Sequence, residues 1–430
     1  MVSNYALEHT FNVRNFGARG DGVSLDTDGI QKAIDACRDS GGGTVAVPAG
    51  HYVSGTLFLH SDIHLYLDSG AFLLGSQNPV DYPLITNRWE GQEQTTYAPL
   101  ISGSGLKNVA VSGRGTIDGR GQPWWQDYHA KRLVYPRPRL IGFSDCSRVL
   151  IEGVRLCNSP SWTIHPVRCE DITIHGVTID NPPDSPNTDG IDPDSCRAVH
   201  ISDCHISAGD DCIAIKSAVQ GENDHLRIAS KDITITNCTF ERGHGGVVFG
   251  SEMSGGIRNV VISNCIFVGT DRGLRFKSRR GRGGVVENVR ATNLIMDGVL
   301  CPFTINMHYA CGQWGDPLVA DRQPRPVDEG TPLFRQIHIS QVMAVGVSLA
   351  AGFVEGLAEM PVEDLSFSDV QVSLAETAEP EPVEMADGLE PIRQAGFIIR
   401  NVRRLVMERV HVDGQQGPAF DIMDSSQVQA

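Results

Sequence analysis

The sequence has no C-x-x-C pair, no apolar run long enough to cross a bilayer and no basic surplus. Each absence closes a class of function. Eleven cysteines without paired spacing offer no metal-binding or redox motif. The longest apolar run, VMAVGVSLAAGFV from Val342, is too short for a membrane span. With 36 Lys and Arg against 52 Asp and Glu, the net charge is −16, which argues against nucleic acid and anionic membranes as partners. The opening MVSNYALEHTFNVRNFG has no charged start followed by an apolar core, so no signal peptide is visible. Free thiols set inside apolar strand patterns agree with that, and the expected location is the cytoplasm. A trimmed leader would make it secreted or periplasmic. No metal and no cofactor is expected.

What is present is repetition. CEDITIHGVTID from Cys169, CRAVHISDCHIS from Cys196, SKDITITNCTFE from Ser230, GIRNVVISNCIF from Gly256 and VENVRATNLIM from Val286 share one period-2 pattern. Related copies begin at Cys146, Phe334, Val362 and Val402. Several copies are followed by a second short β run: GIDPDS, CIAIKS, GVVFGS and GLRFKS. The landmark residues Val177, Cys204, Cys238 and Cys265 are 27, 34 and 27 residues apart. Strand content at such periods implies a parallel β-solenoid whose coils stack at about 4.8 Å. An open solenoid end needs a cap. DTDGIQKAIDACRDSGGG supplies one, with Ile30, Ala33, Ile34 and Cys37 on one helical face, Asp28 as N-cap and Gly41 as stop. The chain is expected to be a single domain: a cap over about 11–60, central coils over about 146–310, and C-terminal coils and loop over about 334–425. The acidic, Pro-bearing stretch from about Ala375 to Pro391 is expected to be an inserted loop.

Coils in register turn sequence offset into neighbourhood. Counted from the landmark, Asp210 and His244 are both +6 and Asp211 is +7. The following β run starts at +9 at Ile213, Val247 and Leu274, but at +14 at Ile191, so NPPDSPNTD carries a five-residue insertion. Correcting for it moves Asp189 into the column of Asp211. A carboxyl at a leaving oxygen and a carboxylate pair holding water, roughly 6.5–9.5 Å away, is what an inverting glycosidase needs. Arg275 and Lys277, in the one dense basic stretch, imply an anionic substrate, with Arg275 offering a bidentate grip on a carboxylate. Arg279, Arg280 and Arg282 read equally well as a solvated face. Asp194 and Lys216 share the column of Lys277 and fit a structural ion pair as well as a ligand role. Trp124 and Trp125 read as packing residues before they read as sugar platforms.

NTDG (187–190), GDD (209–211), GHG (243–245) and R-x-K (Arg275 to Lys277) resemble, in order and spacing, the four motifs of polygalacturonases, glycoside hydrolase family 28. The resemblance spans roughly Phe11 to Met360 and includes FNVRNFGARGDG and GRGTIDGRG, which look like bacterial members. It implies an all-β, right-handed parallel β-helix. It implies Asp210 as general acid, Asp189 and Asp211 as the carboxylates that activate water, and His244 as the histidine that tunes the acid and contacts substrate. Arg275 and Lys277 resemble the pair that binds the galacturonate carboxylate. Asn187 resembles a positioning residue and Tyr309 a substrate-contacting tyrosine. Phe276 stands where Ile is commoner and should point inward. The expected activity is hydrolysis of α-1,4-galacturonosyl linkages in oligogalacturonides, inverting and exo-acting from the non-reducing end. The alternatives are a rhamnogalacturonan or substituted-galacturonan hydrolase, an endo-polygalacturonase, a calcium-dependent pectate lyase, or a non-catalytic glycan-binding solenoid.

Overall fold

Asparagines mark the corners of the coils. Asn237, Asn264 and Asn293 each precede a landmark residue and hold positive φ (55°, 56° and 54°), the left-handed conformation that Asn tolerates best after Gly. Asn293 Nδ2 donates to Asn264 Oδ1 at 2.7 Å, so the corner side chains satisfy one another from coil to coil. Asp203, Gln341 and Asp369 hold the same left-handed conformation at the equivalent positions of other coils, so the corner turns the chain without breaking the ladder even where Asn is absent.

The computed structural model describes residues 9–221 and 226–429. Residues 1–8, on which the leader reading partly rests, lie outside the described residues. The fold is an all-β, right-handed parallel β-helix, and it divides into two compact units, Met1–Trp89 with Glu93–Asp210 and Glu90–Gln92 with Asp211–Ala430. In the first unit, one parallel sheet runs from Thr10–Asn12 through Ile63–Leu67 to Glu170–His175 and Arg197–Ser202. A second runs from Asp21–Leu25 to Thr178–Asp180 and His205–Ser207. A third stacks Leu57–Phe58, Ile101–Ser104, Ile141–Ser144 and Ile164–Val167, and single bridges extend it to Ile191 and Asp194.

The second unit carries a seven-stranded parallel sheet: β1 (Asp211–Ile215), β2 (Gly245–Gly250), β3 (Arg272–Lys277), β4 (Cys301–Asn306), β5 (Ala350–Glu355), β6 (Ala395–Arg400) and β7 (Phe420–Met423). Its register follows the sequence arithmetic: Ile213 lies opposite Val247, and Val247 opposite Leu274. Facing it, Ile257–Val268, Val285–Asp297, Leu333–Val347 and Glu363–Leu374 stack in parallel, and the landmark column runs Cys265, Leu294, Val342, Val370. Side chains of one type stack inside. Phe276 points inward as expected and lies 4.2 Å from Phe249, the rings nearly parallel.

The cap helix α1 (Thr27–Asp39) buries Ile30, Ala33, Ile34 and Cys37 as its spacing requires. Its N-cap is Asp26, not Asp28, which lies in the first turn. The Asp26 carboxylate accepts from Arg19 N (2.6 Å) and Gly20 N (3.0 Å) instead, holding the preceding loop. Gly41 (φ +95°) ends the helix as expected, where a Cβ would be strained. Ten cysteines are buried outside any disulfide, and Cys311 is exposed. The stretch from Ala375 to Pro391 is a loop.

Phe249→Ala should lower the unfolding free energy by roughly 3–5 kcal/mol, since it empties a ring-sized space in a stack that cannot close. Urea denaturation of the two proteins side by side checks this.

Candidate active site

In the first unit, two loops are pressed together by the absence of a side chain. A Cβ on Gly209 would lie 2.4 Å from Ser185 O and 2.5 Å from Pro182 O, so only glycine lets the AGD turn lie on the NPPDSPNTD loop. Gly209 N then donates to Thr188 Oγ1 at 3.2 Å, and Thr188 Oγ1 donates to Ser185 O at 3.0 Å. The result is that carboxylate oxygens of Asp189 and Asp210 come within 4.8 Å of each other. That is the approach of one oxygen of each group; the ~6.5–9.5 Å of an inverting acid and base is the separation of the carboxyl groups themselves. The inserted loop folds back onto the GDD turn, which an offset count could not show.

Arg137 was not singled out in the sequence, yet it braces this loop. It is buried, and it donates to Pro160 O (2.9 Å), Pro186 O (2.6 Å) and Asn187 Oδ1 (2.7 Å). With its carbonyl oxygen engaged, the Asn187 amide is left to donate. Only the run YPRPR hints at Arg137, and nothing in the spacing ties it to NTDG.

In the second unit, Asp211 opens β1 and pairs in register with Gly245 of β2, so the exposed His244 stands at the start of the neighbouring strand. A Cβ on Gly245 would meet Asp211 Oδ1 at 3.2 Å. Its absence lets the Asp211 carboxylate reach past β2 to β3. There Lys277 Nζ lies 2.7 Å from Asp211 Oδ2, and Arg275 Nη1 lies 3.5 Å from Oδ1. Tyr309 is buried, with its ring 5.6 Å from the Arg275 guanidinium and 5.3 Å from Lys277 Nζ. Arg275 departs from expectation in one respect. Its Nε and Nη2 edge is taken by Glu384, at 3.2 and 2.6 Å. Glu384 comes from the stretch that the sequence marked only as an inserted loop.

Charge is tightly balanced here. Burial raises the Asp211 carboxyl, but Lys277 and then Arg275 outweigh it and hold the group well below the usual carboxylate range. Burial alone would lower Lys277 and Arg275; Asp211 holds the first above its ordinary value, and Glu384 does the same for the second. Burial pushes the Tyr309 phenol up, so it stays protonated at neutral pH.

Other candidates take structural partners, although Lys216 also helps to hold the Asp211 carboxyl down. Asp194 is buried against Arg88 (2.7 Å) and His165 (3.8 Å), and Lys216 lies 3.8 Å from the buried Glu252. Arg280 is not on a solvated face: it pairs with Glu359 at 2.5 and 2.9 Å and donates to Leu318 O and Asp321 O. Trp124 is buried edge-on against Tyr82 and Tyr97. Trp125 differs: it is half-buried, donates to Ser159 O at 3.0 Å, and lines a cavity of about 600 Å³ with Arg120, Asn158 and Asp184.

The family model for glycosyl hydrolases family 28 matches residues 37–319. The chain belongs to this family. It is therefore a glycoside hydrolase. A probable polygalacturonase of Vitis vinifera is 35% identical over 88% of this chain and 77% of its own length. An endo-polygalacturonase of Pectobacterium carotovorum subsp. carotovorum is 33% identical over 66% of this chain and 73% of its own. The crystal structure of a hyperthermoactive exopolygalacturonase from Thermotoga maritima superposes with a TM-score of 0.81 at 29% identity, covering 95% of this chain and 92% of that one.

Two variants test the family 28 site. Gly209→Ala should lower kcat by about 100-fold or more, because the Cβ forces the two loops apart by a distance that matters for reacting groups. Steady-state kinetics, with circular dichroism to confirm the fold, reads the effect. An Asp211 that acts on water must be ionised, so under the role the family resemblance implies for it activity is lost as pH falls through its pKa. Lys277→Met removes the cation that holds that pKa down, and the acid limb of kcat/KM should rise by about 1–2 pH units.

Proposed function

We propose that this chain hydrolyses α-1,4-galacturonosyl linkages in pectin-derived oligogalacturonides, with inversion, taking galacturonate from the non-reducing end. The observation that carries the reading is the buried group Asp211–Lys277–Arg275–Tyr309, which sets cations beside a carboxylate held ionised. A neutral sugar needs no such cations, whereas a hexuronate brings a carboxylate to the cleavage point. Asp210 is half-exposed and serves as the acid toward the glycosidic oxygen, while Asp189 and Asp211, both buried, activate water. His244 assists the acid. Lys277 and Arg275 Nη1 meet the sugar carboxylate, Asn187 positions substrate through its amide, and Tyr309 forms a wall of the site. Trp125 is a stacking face for a further sugar unit.

The exo reading is supported by the likeness to the Thermotoga maritima exopolygalacturonase along nearly the full length of both chains. The Pectobacterium relative, named an endo-polygalacturonase, supports the alternative. Buried thiols that form no disulfide favour action inside the cell on short imported oligosaccharides.

A time course on hexagalacturonate decides among these readings. Monogalacturonate and pentamer should appear first, and early products of intermediate size would establish endo action. Proton NMR of the first product should show the β anomer; the α anomer would overturn inversion. Products absorbing in the ultraviolet, or loss of activity with a chelator, would indicate elimination instead. Asp210→Asn should lower kcat by roughly 10³-fold or more, as removal of a general acid does. A wild type that binds the oligomer without releasing sugar would leave the glycan-binding reading.

A further inference from the structure

Glu384 belongs to none of the four motifs, and it is the least expected group in the second unit. Its side chain has 0% exposure although it lies in an acidic, Pro-bearing loop. Burying a carboxylate costs several kcal/mol unless close partners offset it, as breaking a buried pair shows. Surface acids are plentiful in this chain, so a loop that sends one inward is built to do so.

The construction is visible. Glu381 and Ile392 exchange both backbone hydrogen bonds (3.1 and 2.9 Å), which pinches the loop into a closed strap. Val383 packs with Cys301, Leu349, Ala350 and Phe353. Arg272 donates to Val383 O through Nε (3.1 Å) and Nη2 (2.7 Å). On the far side of Glu384, Met385 O accepts from Ala310 N (2.8 Å) and Asn306 Nδ2 (3.3 Å). The backbone on either side is thus fixed, and the side chain between is aimed at Arg275.

We propose that Glu384 is a positioning residue of the hydrolytic centre: by filling the Nε/Nη2 edge of Arg275, it turns Nη1 alone toward Asp211 and toward the carboxylate of the substrate. This rests on the galacturonide reading above. An unoccupied guanidinium would close its fork on Asp211 or on the sugar as a bidentate pair, the tightest form this contact takes. With the edge taken, the substrate carboxylate meets Lys277 and one N–H face, a grip that binds and still releases. The charges around the group are these: Arg275 and Lys277 face Asp211 and Glu384, with the Tyr309 ring against both cations, Arg272 beside the half-buried Asp271 behind Glu384, and Lys216, itself beside Glu252, acting on Asp211 and Lys277.

The test compares wild type, Glu384→Gln and Glu384→Ala on trigalacturonate across pH. Gln keeps the shape and removes one negative charge from the group. KM should fall about fivefold, kcat should fall by a similar factor as product is held, and both limbs of the pH profile should move down by about half a pH unit. Ala empties the fork; kcat/KM should drop about 100-fold, and about 100 mM formate should restore roughly a tenth of the loss by filling it. Glu384→Gln with constants and profile within about twofold of wild type would overturn the proposal, whether or not Glu384→Ala folds. So would loss in both variants with unmoved limbs and no formate rescue, which marks the strap as structural only. A wild type that releases no sugar from the trimer would instead sink the functional reading, and this inference with it.

Discussion

The hydrogen-bonded register between successive coils is the constraint on which everything else depends. In a parallel ladder a slip of one residue sends every inward side chain out and every outward one in. Here the same ladder that stacks Phe249 on Phe276 in the core also sets Val248 opposite Arg275 and Asp211 opposite Gly245. Core and site are alternate positions of the same strands. The apolar half of each coil therefore guards the geometry of the polar half.

Glycine acts in this site by what it leaves out. At Gly245 the missing Cβ opens a passage through which Asp211 reaches cations on β3, and at Gly209 it closes the distance between two loops. One glycine makes an ion pair possible and the other brings two like charges near each other. These opposite effects come from one property, close backbone approach.

The repeat, the inward Phe276, the buried thiols, the cap helix and the column arithmetic of the second unit were legible because they follow from period and offset alone. Lys277 and Arg275 were found by their charge in an acidic chain. What escaped depends on where a loop goes once it leaves the ladder. Glu384 arrives at Arg275 from 109 residues further along the chain, and no spacing rule connects them. Arg137 reaches Asn187 across 50 residues for the same reason. Arg280 reads equally as a surface charge in the sequence because its partner, Glu359, also lies on a distant loop. The helix start moved from Asp28 to Asp26 because boundary positions are decided by one or two backbone contacts.

The unequal exposure of the cysteines has a practical side. Burial pushes the Cys157 thiol up to about 11 and the Cys301 thiol up to about 12, and both are shut away from reagents. Cys311 alone is open, two positions beyond Tyr309 on the chain. A maleimide dye added to the folded native protein would mark a single place, next in the chain to the Tyr309 ring that packs on Arg275 and Lys277. The molecule thus carries its own attachment point for an optical reporter of oligosaccharide arrival, with no engineered handle.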